Sequence, residues 1–341
     1  MPFETPNNQD LDSFQFTFES YLDDASRIEA DLMCSMSPSC LDSSVDTQSL
    51  SDSIARYQEE FGRTYHSYHA GSYHFPNDPT ETERLDEQYE IMKTVMDGRL
   101  HLAPFSPQNH PHKVLDIGTG TGIWAIEMGD EYPEAQIIGT DLSPIQPPFV
   151  PPNVRFFVED STEEWDFSAD FDYIHTRVTI GCWSDMKTQI VQPAFDHLLP
   201  GGWLECQEFV VFPECDDGTI PEAFAWKQWA LEMRAVSQIA NRQFELGSNL
   251  KSWFEEVGFV DVHETIYKIP INGWPRDARL KYIGMLWQRN LINGLSGFSL
   301  ALQNRYGGKT VEDIEVSSQW SGECVMLNVL GGDMTKTDKL L

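Results

Sequence analysis

Basic residues are scarce in this chain of 341 residues. It contains 23 Lys and Arg against 54 Asp and Glu, which gives a formal net charge of −31 at pH 7. A field of this sign repels the phosphates of nucleic acids and of anionic lipid headgroups. We therefore expect neither direct nucleic-acid binding nor attachment to a membrane surface.

The sequence also lacks a secretory signal, a long apolar run and paired cysteines. Residues 1–10 have no basic start and no apolar stretch, and no later segment is apolar over a bilayer's width. The six cysteines are scattered, without Cys-x-x-Cys spacing or clustered histidines. This pattern predicts reduced thiols in the cytoplasm or the nucleus and no metal site.

The first 52 residues differ in composition from the rest of the chain. They contain eleven acidic residues and a single basic one, Arg27, and they are rich in Ser. Such a composition buries too little apolar surface to offset the entropy lost on ordering. We predict a disordered acidic tail over residues 1–52. Its aromatic residues between positions 14 and 22 are either a chance cluster or a docking motif for a protein partner.

Residues 53–110 are predicted to form a mainly helical N-terminal cap. Between residues 84 and 96, Leu85, Tyr89, Met92 and Met96 recur at helical spacing, which predicts one apolar helix face. Gly98 stands where it can end that helix.

From residue 111 to about 335 the pattern changes to alternating strands and helices, which predicts a parallel sheet covered by helices on both faces. Helical additions on the substrate side are expected around 217–245 and 276–300. The strands are predicted at 113–117, 135–140, 154–158, 171–175, 203–211, 259–269 and 324–330. The helices are predicted at 122–132, 186–199, 222–240, 247–257 and 276–292, with Pro200-Gly201-Gly202 as a turn.

A glycine-rich loop joins the first of these strands to the first of these helices. Its glycines, Gly118, Gly120 and Gly122, permit a tight turn and close approach of a ligand to the backbone, and the helix start favours an anionic group. The third glycine of a dinucleotide fingerprint would stand at residue 123, which is Ile123. The spacing therefore disfavours a nicotinamide-dependent oxidoreductase, and no Gly-Lys-Ser/Thr follows to make a phosphate loop.

Acidic residues end the next two predicted strands. Asp141 stands nineteen residues beyond Gly122, where a carboxylate can accept both hydroxyls of a ribose. Asp160 follows the third strand, where it can accept a hydrogen bond from an adenine amino group with Ser161 beside it. The alternatives are a solvated turn at Asp141 and an acidic loop around Asp160.

Several sequence blocks, in this order, resemble class I S-adenosylmethionine-dependent methyltransferases and, more narrowly, the fungal LaeA-like methyltransferases associated with secondary metabolism. The resemblance covers roughly residues 61–300. The blocks are GSYHFPND at 71–78, VLDIGTGTGIWAIE at 114–127, GTDLSPIQPP at 139–148, FDYIH at 171–175 and LPGGW at 199–203. Residues 305–341 depart from the family's usual ending.

The resemblance implies a Rossmann-like fold with a mostly parallel seven-stranded sheet, an N-terminal helical lid, and S-adenosyl-L-methionine as the cofactor. The methionine part would lie on the loop, the ribose at the end of the second strand and the adenine at the end of the third. Two residues before the sheet would close over the cofactor or meet its carboxylate. The residues implied are Asp116, Gly118, Thr119, Gly120 and Gly122 for methionine, Asp141 and Leu142 for ribose, Asp160 and Ser161 for adenine, and Tyr73 and Arg84 for closure.

The expected function is O- or N-methylation of a small molecule in fungal secondary metabolism. A displacement at a sulfonium methyl group needs alignment and a dry site more than a covalent residue. Where a base is needed, His175 at a strand end is the candidate, and Glu208 lies near the end of the following strand. The alternative for His175 is a hydrogen-bonded structural residue, the more common role of a histidine at a strand end. The alternative is a LaeA-like regulatory subunit of a nuclear complex, with the acidic tail as its docking arm.

Overall fold

The computed structural model of the chain describes residues 54–327, except 55, 107, 168–169, 216–217, 219 and 223. The predicted acidic tail at 1–52 and the last residues, 328–341, therefore lie outside the described part.

The predicted helical cap contains two strands as well as a helix. A short antiparallel hairpin pairs β1 (Gln58–Glu60) with β2 (Arg63–Tyr65), and an irregular segment leads to helix α1 (Pro79–Val95). Asp78 caps this helix by accepting a hydrogen bond from the Glu81 amide, and it also forms an ion pair with Arg63. The hairpin is thereby attached to the start of the helix.

The end of α1 confirms the predicted stop, with one difference. The Gly98 amide donates to the Lys93 carbonyl and the Asp97 amide donates to the Thr94 carbonyl, which is the pattern of a Schellman motif. Asp97, with φ of 59°, takes the left-handed position that Gly usually occupies, and Gly98 follows it.

A parallel sheet of five strands forms the centre of the described residues. Neighbouring strands lie in the order β5-β4-β3-β6-β7. The strands β4 and β5 therefore extend the sheet on one side of β3, and β6 and β7 extend it on the other. Ligands of such sheets bind outside the carboxyl ends of the strands where the order reverses, here between β3 and β6. The strands are β3 (Lys113–Ile117), β4 (Gln136–Asp141), β5 (Val154–Val158), β6 (Phe171–Arg177) and β7 (Leu198–Gln207).

The predicted turn at residues 200–202 lies inside β7 as an irregularity of the sheet. Leu198 is paired with Phe171, and the next paired position joins Trp203 to Tyr173. Five residues of β7 therefore stand opposite two of β6. The glycines bulge out of the ladder, and the predicted turn does not end the strand.

Helices cover the sheet as the alternating pattern predicted. Helix α2 (Ile123–Glu131) follows β3, and α3 (Gln192–His197) precedes β7. A π-helical turn at Lys187–Val191 leads into α3, and the Gln192 amide donates to the Lys187 carbonyl five residues back. Pro193, which has no amide proton to donate, follows directly after this wider turn and interrupts the helix predicted at 186–199.

The second half of the chain is more helical than predicted. Its helices are α4 (Ala225–Ile239), α5 (Leu250–Val257), α6 (Ala278–Gly307) and α7 (Val311–Leu327). Gly258 caps α5 in the left-handed conformation, directly after the predicted helix end at residue 257. Helix α6 runs fifteen residues beyond its predicted end at residue 292, and its faces contact α1, α4 and α7.

Two strand predictions are wrong within the described residues. Residues 259–269 form no strand; Asp261 is left-handed there, and Val260 and Ile266 are 83% and 78% exposed. Residues 324–327 belong to α7. Alternation of apolar side chains indicates an extended backbone, but a strand also requires a hydrogen-bonding neighbour. The main sheet of the described residues therefore has five strands, where seven were expected.

None of the helices in the described part of the chain combines the length and apolarity needed to cross a bilayer.

Candidate functional site

The glycine loop between β3 and α2 forms the floor of the candidate site. Gly118, Gly120 and Gly122 all have left-handed backbones, with φ of 67°, 59° and 81°. A Cβ at Gly122 would stand 2.4 Å from the ring of Phe156, whereas one at Gly120 would meet only Leu85, at 3.9 Å. The loop is thus tightly folded at its helical end and open above Gly120, where a ligand can approach the backbone.

Asp116 and His175 form a hydrogen-bonded pair next to the glycine loop. The Asp116 carboxylate accepts from Thr119 Oγ1 at 2.6 Å and lies 2.8 Å from His175 Nδ1. His175 is fully buried and stacks on Trp124, with ring centroids 3.8 Å apart. Burial lowers the pKa of His175, which leaves a neutral imidazole whose Nδ1–H donates to Asp116. Neither side chain lies in the open cleft, so this geometry does not support His175 as a base.

Asp141 stands at the end of β4 beside the loop. Its Oδ2 accepts from the Gly120 amide at 2.9 Å and its Oδ1 from the Ser143 amide at 2.8 Å. Burial raises the pKa of Asp141 to about 6, against these amide donors. Each oxygen has one of these donors and retains further accepting capacity. The carboxylate is therefore oriented by the backbone and can accept two more hydroxyl groups; the adjoining Leu142 is half-buried.

Asp160 and Ser161 lie beyond the end of β5. Asp160 Oδ1 accepts from the amide and hydroxyl of Thr162, and Oδ2 lies 2.9 Å from His69 Nδ1. Burial opposes ionisation, but the hydrogen bonds from Thr162 and His69 outweigh it and lower the pKa of Asp160. Ser161 is buried, with its hydroxyl 3.3 Å from Thr140 Oγ1.

The segment before α1 crosses the loops that follow β4 and β5. Tyr57 donates its hydroxyl proton to the Pro144 carbonyl, and Asn77 Nδ2 donates to Ser143 Oγ. His69 reaches Asp160, as described above. Sequence reasoning predicted a cover over the site but missed Tyr57, His69 and Asn77. The only signal was that His69 and Asn77 fall within or beside the resemblance blocks.

Of the two predicted closing residues, Tyr73 interacts electrostatically with Asp141 and also with Arg84, which itself is bound to other partners. Tyr73 lies near Asp141 and Cys182, and burial raises the pKa of its hydroxyl. The Arg84 guanidinium is buried, forms an ion pair with Glu81 at 2.7 Å and donates to Asn290 of α6 at 3.0 Å. Arg84 therefore joins α1 to α6.

A second held carboxylate, Glu208, lies one residue beyond β7. Its Oε1 accepts from the Thr179 amide at 2.8 Å and from Thr179 Oγ1 at 2.5 Å. Burial raises the pKa of Glu208 to about 7, although these hydrogen bonds act in the opposite direction. Thr179 also receives a hydrogen bond from Trp183 Nε1 at 2.9 Å. Glu208 was the second sequence candidate for a base, whereas its partner Thr179 was not foreseen.

Four side chains of this region combine a raised pKa with a partly accessible surface, a combination that Cys206 of β7 shares. Burial raises the pKa of each, yet each keeps part of its surface accessible, as expected for residues that line a recess. They come from the cover and from the carboxyl ends of β4, β6 and β7. These residues are Tyr73, Asp141, Cys182 and Glu208.

A shallow depression of about 350 Å³ lies to one side, lined by polar residues such as Arg234, Gln238 and Arg242. None of the predicted site residues lines it, so we place the candidate site at the carboxyl ends of the strands beside the glycine loop, where the strand order reverses. Among the described residues, no group of three or more His, Cys, Asp or Glu side chains could hold a metal ion.

Comparison with known proteins shows which family this chain resembles. A family profile described as a methyltransferase domain matches residues 86–264. Methyltransferase pytC of Aspergillus terreus is 39% identical over 303 residues, covering 89% of this chain and 91% of that protein. Secondary metabolism regulator LAE1 of Cochliobolus heterostrophus is 36% identical over 246 residues, covering 71% and 80%. Secondary metabolism regulator laeA of Aspergillus fumigatus is 32% identical over 271 residues, covering 76% and 69%.

The chain therefore belongs to the class I S-adenosylmethionine-dependent methyltransferases, in the LaeA-like family. Its cofactor is S-adenosylmethionine. The site fits that molecule, because an open glycine cradle lies next to Asp141, a carboxylate with spare accepting capacity.

Proposed function

We propose that this protein methylates an oxygen or nitrogen atom of a small molecule in fungal secondary metabolism. The observation that carries the proposal is Asp141, whose carboxylate is held by Gly120 and Ser143 at the reversal point of the sheet. The similarity to methyltransferase pytC over about nine tenths of both chains supports methyl transfer.

The residues for the cofactor follow from their places along the strand ends. S-adenosylmethionine supplies a sulfonium methyl group, which an acceptor takes by in-line displacement. The loop residues Gly118, Thr119, Gly120 and Gly122 hold its methionine part against the open backbone. The remaining assignments are Asp141 and Leu142 for the ribose, Asp160 and Ser161 for the adenine, and Tyr73 as part of the cover.

The protein's own contribution is alignment and exclusion of water. Tyr57, His69 and Asn77 fasten the segment before α1 across the loops after β4 and β5. A site closed in this way strengthens the electrostatic interactions inside it and keeps the reacting groups in line.

Two measurements test the proposal. Calorimetric titration of the full chain should show binding of S-adenosylmethionine and no binding of NAD. Incubation of the full chain and S-adenosylmethionine with a fungal small-molecule extract should yield a product heavier by one methylene unit. A preference for NAD, or an unchanged metabolite profile, would contradict the proposal.

A regulatory function is the second candidate, because LAE1 and laeA are similar over more than two thirds of their lengths and bear the name of regulators. In that case the protein acts within a nuclear complex and uses its acidic tail for docking. A stable complex with transcriptional proteins, lost when residues 1–52 are removed, would favour this function. Methylation of an isolated small molecule would favour the enzyme.

A further inference from the structure

The Glu208 carboxylate has one committed oxygen and one that is nearly free. Oε1 accepts both the amide proton and the hydroxyl proton of Thr179, at 2.8 and 2.5 Å. Oε2 has only a longer contact with the same amide, at 3.1 Å. Since a carboxylate oxygen that already accepts two protons is a poor site for a third, an incoming proton goes to Oε2.

Trp183 determines which way the Thr179 hydroxyl points. The indole Nε1–H can only donate, and it donates to Thr179 Oγ1 at 2.9 Å. The threonine oxygen therefore accepts from Trp183 and directs its own proton at Glu208. This chain of two hydrogen bonds fixes the carboxylate in one orientation.

The backbone before Thr179 is strained in order to reach this arrangement. Val178 has φ of 52°, in the left-handed region that a β-branched residue rarely adopts. Its amide donates to the Gln207 carbonyl, which brings the turn after β6 against the end of β7. Strain of this kind persists where the surrounding structure demands it, and it is concentrated at functional sites.

The same turn places Glu208 against the cofactor loop. The methyl group of Thr179 is 3.5 Å from the position that a Cβ on Gly118 would occupy. Asp141 and Glu208 thus flank the glycine loop, the former at the end of β4 and the latter beyond β7. The carboxylate of Glu208 lies on the side away from the ribose and adenine positions.

We propose that Glu208 contacts the methyl acceptor and takes its proton on Oε2. This inference rests on the proposed function, and it narrows the acceptor to a hydroxyl or amine compound. As the acceptor atom bonds to the methyl carbon, the carbon–sulfur bond breaks with its electron pair going to sulfur. The thioether leaves uncharged because sulfur takes that pair, and the acceptor proton passes to Oε2, so that the methylated product is uncharged as well.

The surroundings of Glu208 suit a proton acceptor and disfavour an acidic substrate. The thiols of Cys182 and Cys206 interact electrostatically with it, and burial raises the pKa of both, so they are uncharged near neutral pH. Because burial raises the pKa of Glu208 itself to about 7, it takes up and releases a proton in that range. A carboxylate acceptor would be repelled by both Glu208 and Asp141.

The test compares the wild type with Glu208→Gln, which has the same shape but cannot accept the proton. Glu134→Gln is the matched control, because Glu134 is 82% exposed and precedes β4 at the opposite end of the sheet. With the acceptor found by metabolite comparison, kcat of Glu208→Gln should fall about 100-fold or more, the usual contribution of a general base. Its affinity for S-adenosylmethionine by calorimetry should stay within about twofold of the wild type.

A second readout is independent of the reaction. The folded state keeps the Glu208 proton up to about pH 7, whereas an unfolded glutamate releases it near 4.5. The folded state thus holds more protons between these values, and stability falls as the pH rises through them. Thermal melting should therefore show wild type losing stability relative to Glu208→Gln between pH 5 and 8, while Glu134→Gln follows wild type.

The possible failures are distinguishable. If the wild type yields no methylated product from any extract, the proposed function fails and this inference fails with it. If wild type and Glu208→Gln methylate at equal rates, or if their melting curves run parallel across the pH range, only the role of Glu208 is overturned. A methyl ester as the product would overturn the acceptor class.

Discussion

The cofactor half and the acceptor half of the cleft hold their carboxylates in different ways. Asp141 is bound by two backbone amides, from Gly120 and Ser143, and so depends on the fold of two loops. Glu208 depends on a single residue, Thr179, whose hydroxyl is oriented by Trp183. A ribose needs a fixed pair of hydrogen-bond acceptors, whereas the proton of the methyl acceptor needs one carboxylate oxygen left open. The difference teaches that each carboxylate is held in the way its proposed role requires, ribose binding for Asp141 and proton uptake for Glu208.

The largest effect should come from the loop itself. Gly120→Val places a β-branched residue at φ of 59° and fills the open side of the cradle. We expect S-adenosylmethionine binding to be lost by calorimetry. Gly98→Val is the control, because Gly98 has a similar φ of 79° but no atom near its Cβ position and lies at the end of α1. Equal affinities in the two variants would mean that strain, and not the cradle, controls binding.

The next largest effect should come from removing Asp141, the carboxylate proposed to accept hydrogen bonds from the ribose. Hydrogen bonds to a charged group contribute roughly 1.5–3 kcal/mol, so Asp141→Ala should weaken S-adenosylmethionine binding by about ten- to a hundredfold. The melting temperature without ligand should change little, because burial already disfavours this charge in the folded state. Unchanged affinity would make Asp141 a turn residue, and unfolding would make it a structural one.

The affinity for S-adenosylmethionine should also depend on pH, through the carboxylate of Asp141. Because burial raises the pKa of Asp141 to about 6 from an ordinary value of 3.8, its carboxylate is protonated in mildly acidic solution. S-adenosylmethionine affinity should therefore decline below about pH 6 and level off above it. Asp141→Asn, which has no carboxylate to protonate, should remove most of this dependence. Identical pH profiles would assign the effect to another group.

The smallest effect should come from Thr179. Thr179→Val removes the hydroxyl that directs Glu208 but keeps the backbone amide and the side-chain shape. Because the Thr179 amide still donates to the carboxylate, we expect a loss of about 1 kcal/mol, below the full value of a hydrogen bond to a charged group, so kcat should fall about fivefold with cofactor affinity unchanged. Thr179→Ser restores the hydroxyl and should restore the rate. A rescue that fails would show that the Thr179 methyl group, packed toward Gly118, matters more than its hydroxyl.

The central sheet was predictable from local patterns. The predicted strands at 113–117 and 154–158 coincide with β3 and β5, and the glycine loop leads into α2 as expected. A parallel strand appears in the sequence as a short apolar run bounded by turn residues. It can therefore be recognised from residues that are neighbours in the chain.

The second half was predicted less well because its signals depend on neighbours. Residues 259–269 alternate like a strand but have no strand partner within the described residues, and residues 324–327 were assigned to a strand although they end α7. Helix α6 continues past residue 292 to Gly307, because its faces are covered by α1, α4 and α7. Tertiary contacts of this kind override local preference.

For the site, the sequence by itself determined the glycine loop, the position of Asp141 and the carboxyl ends at which a ligand would lie. Each of these follows from residue type at a known place along a strand. Only the tertiary structure decided that His175 is buried against Asp116 and Trp124, and that Glu208 is held by Thr179. Burial and hydrogen-bond partners depend on residues distant in the chain, so spacing along the sequence does not contain them.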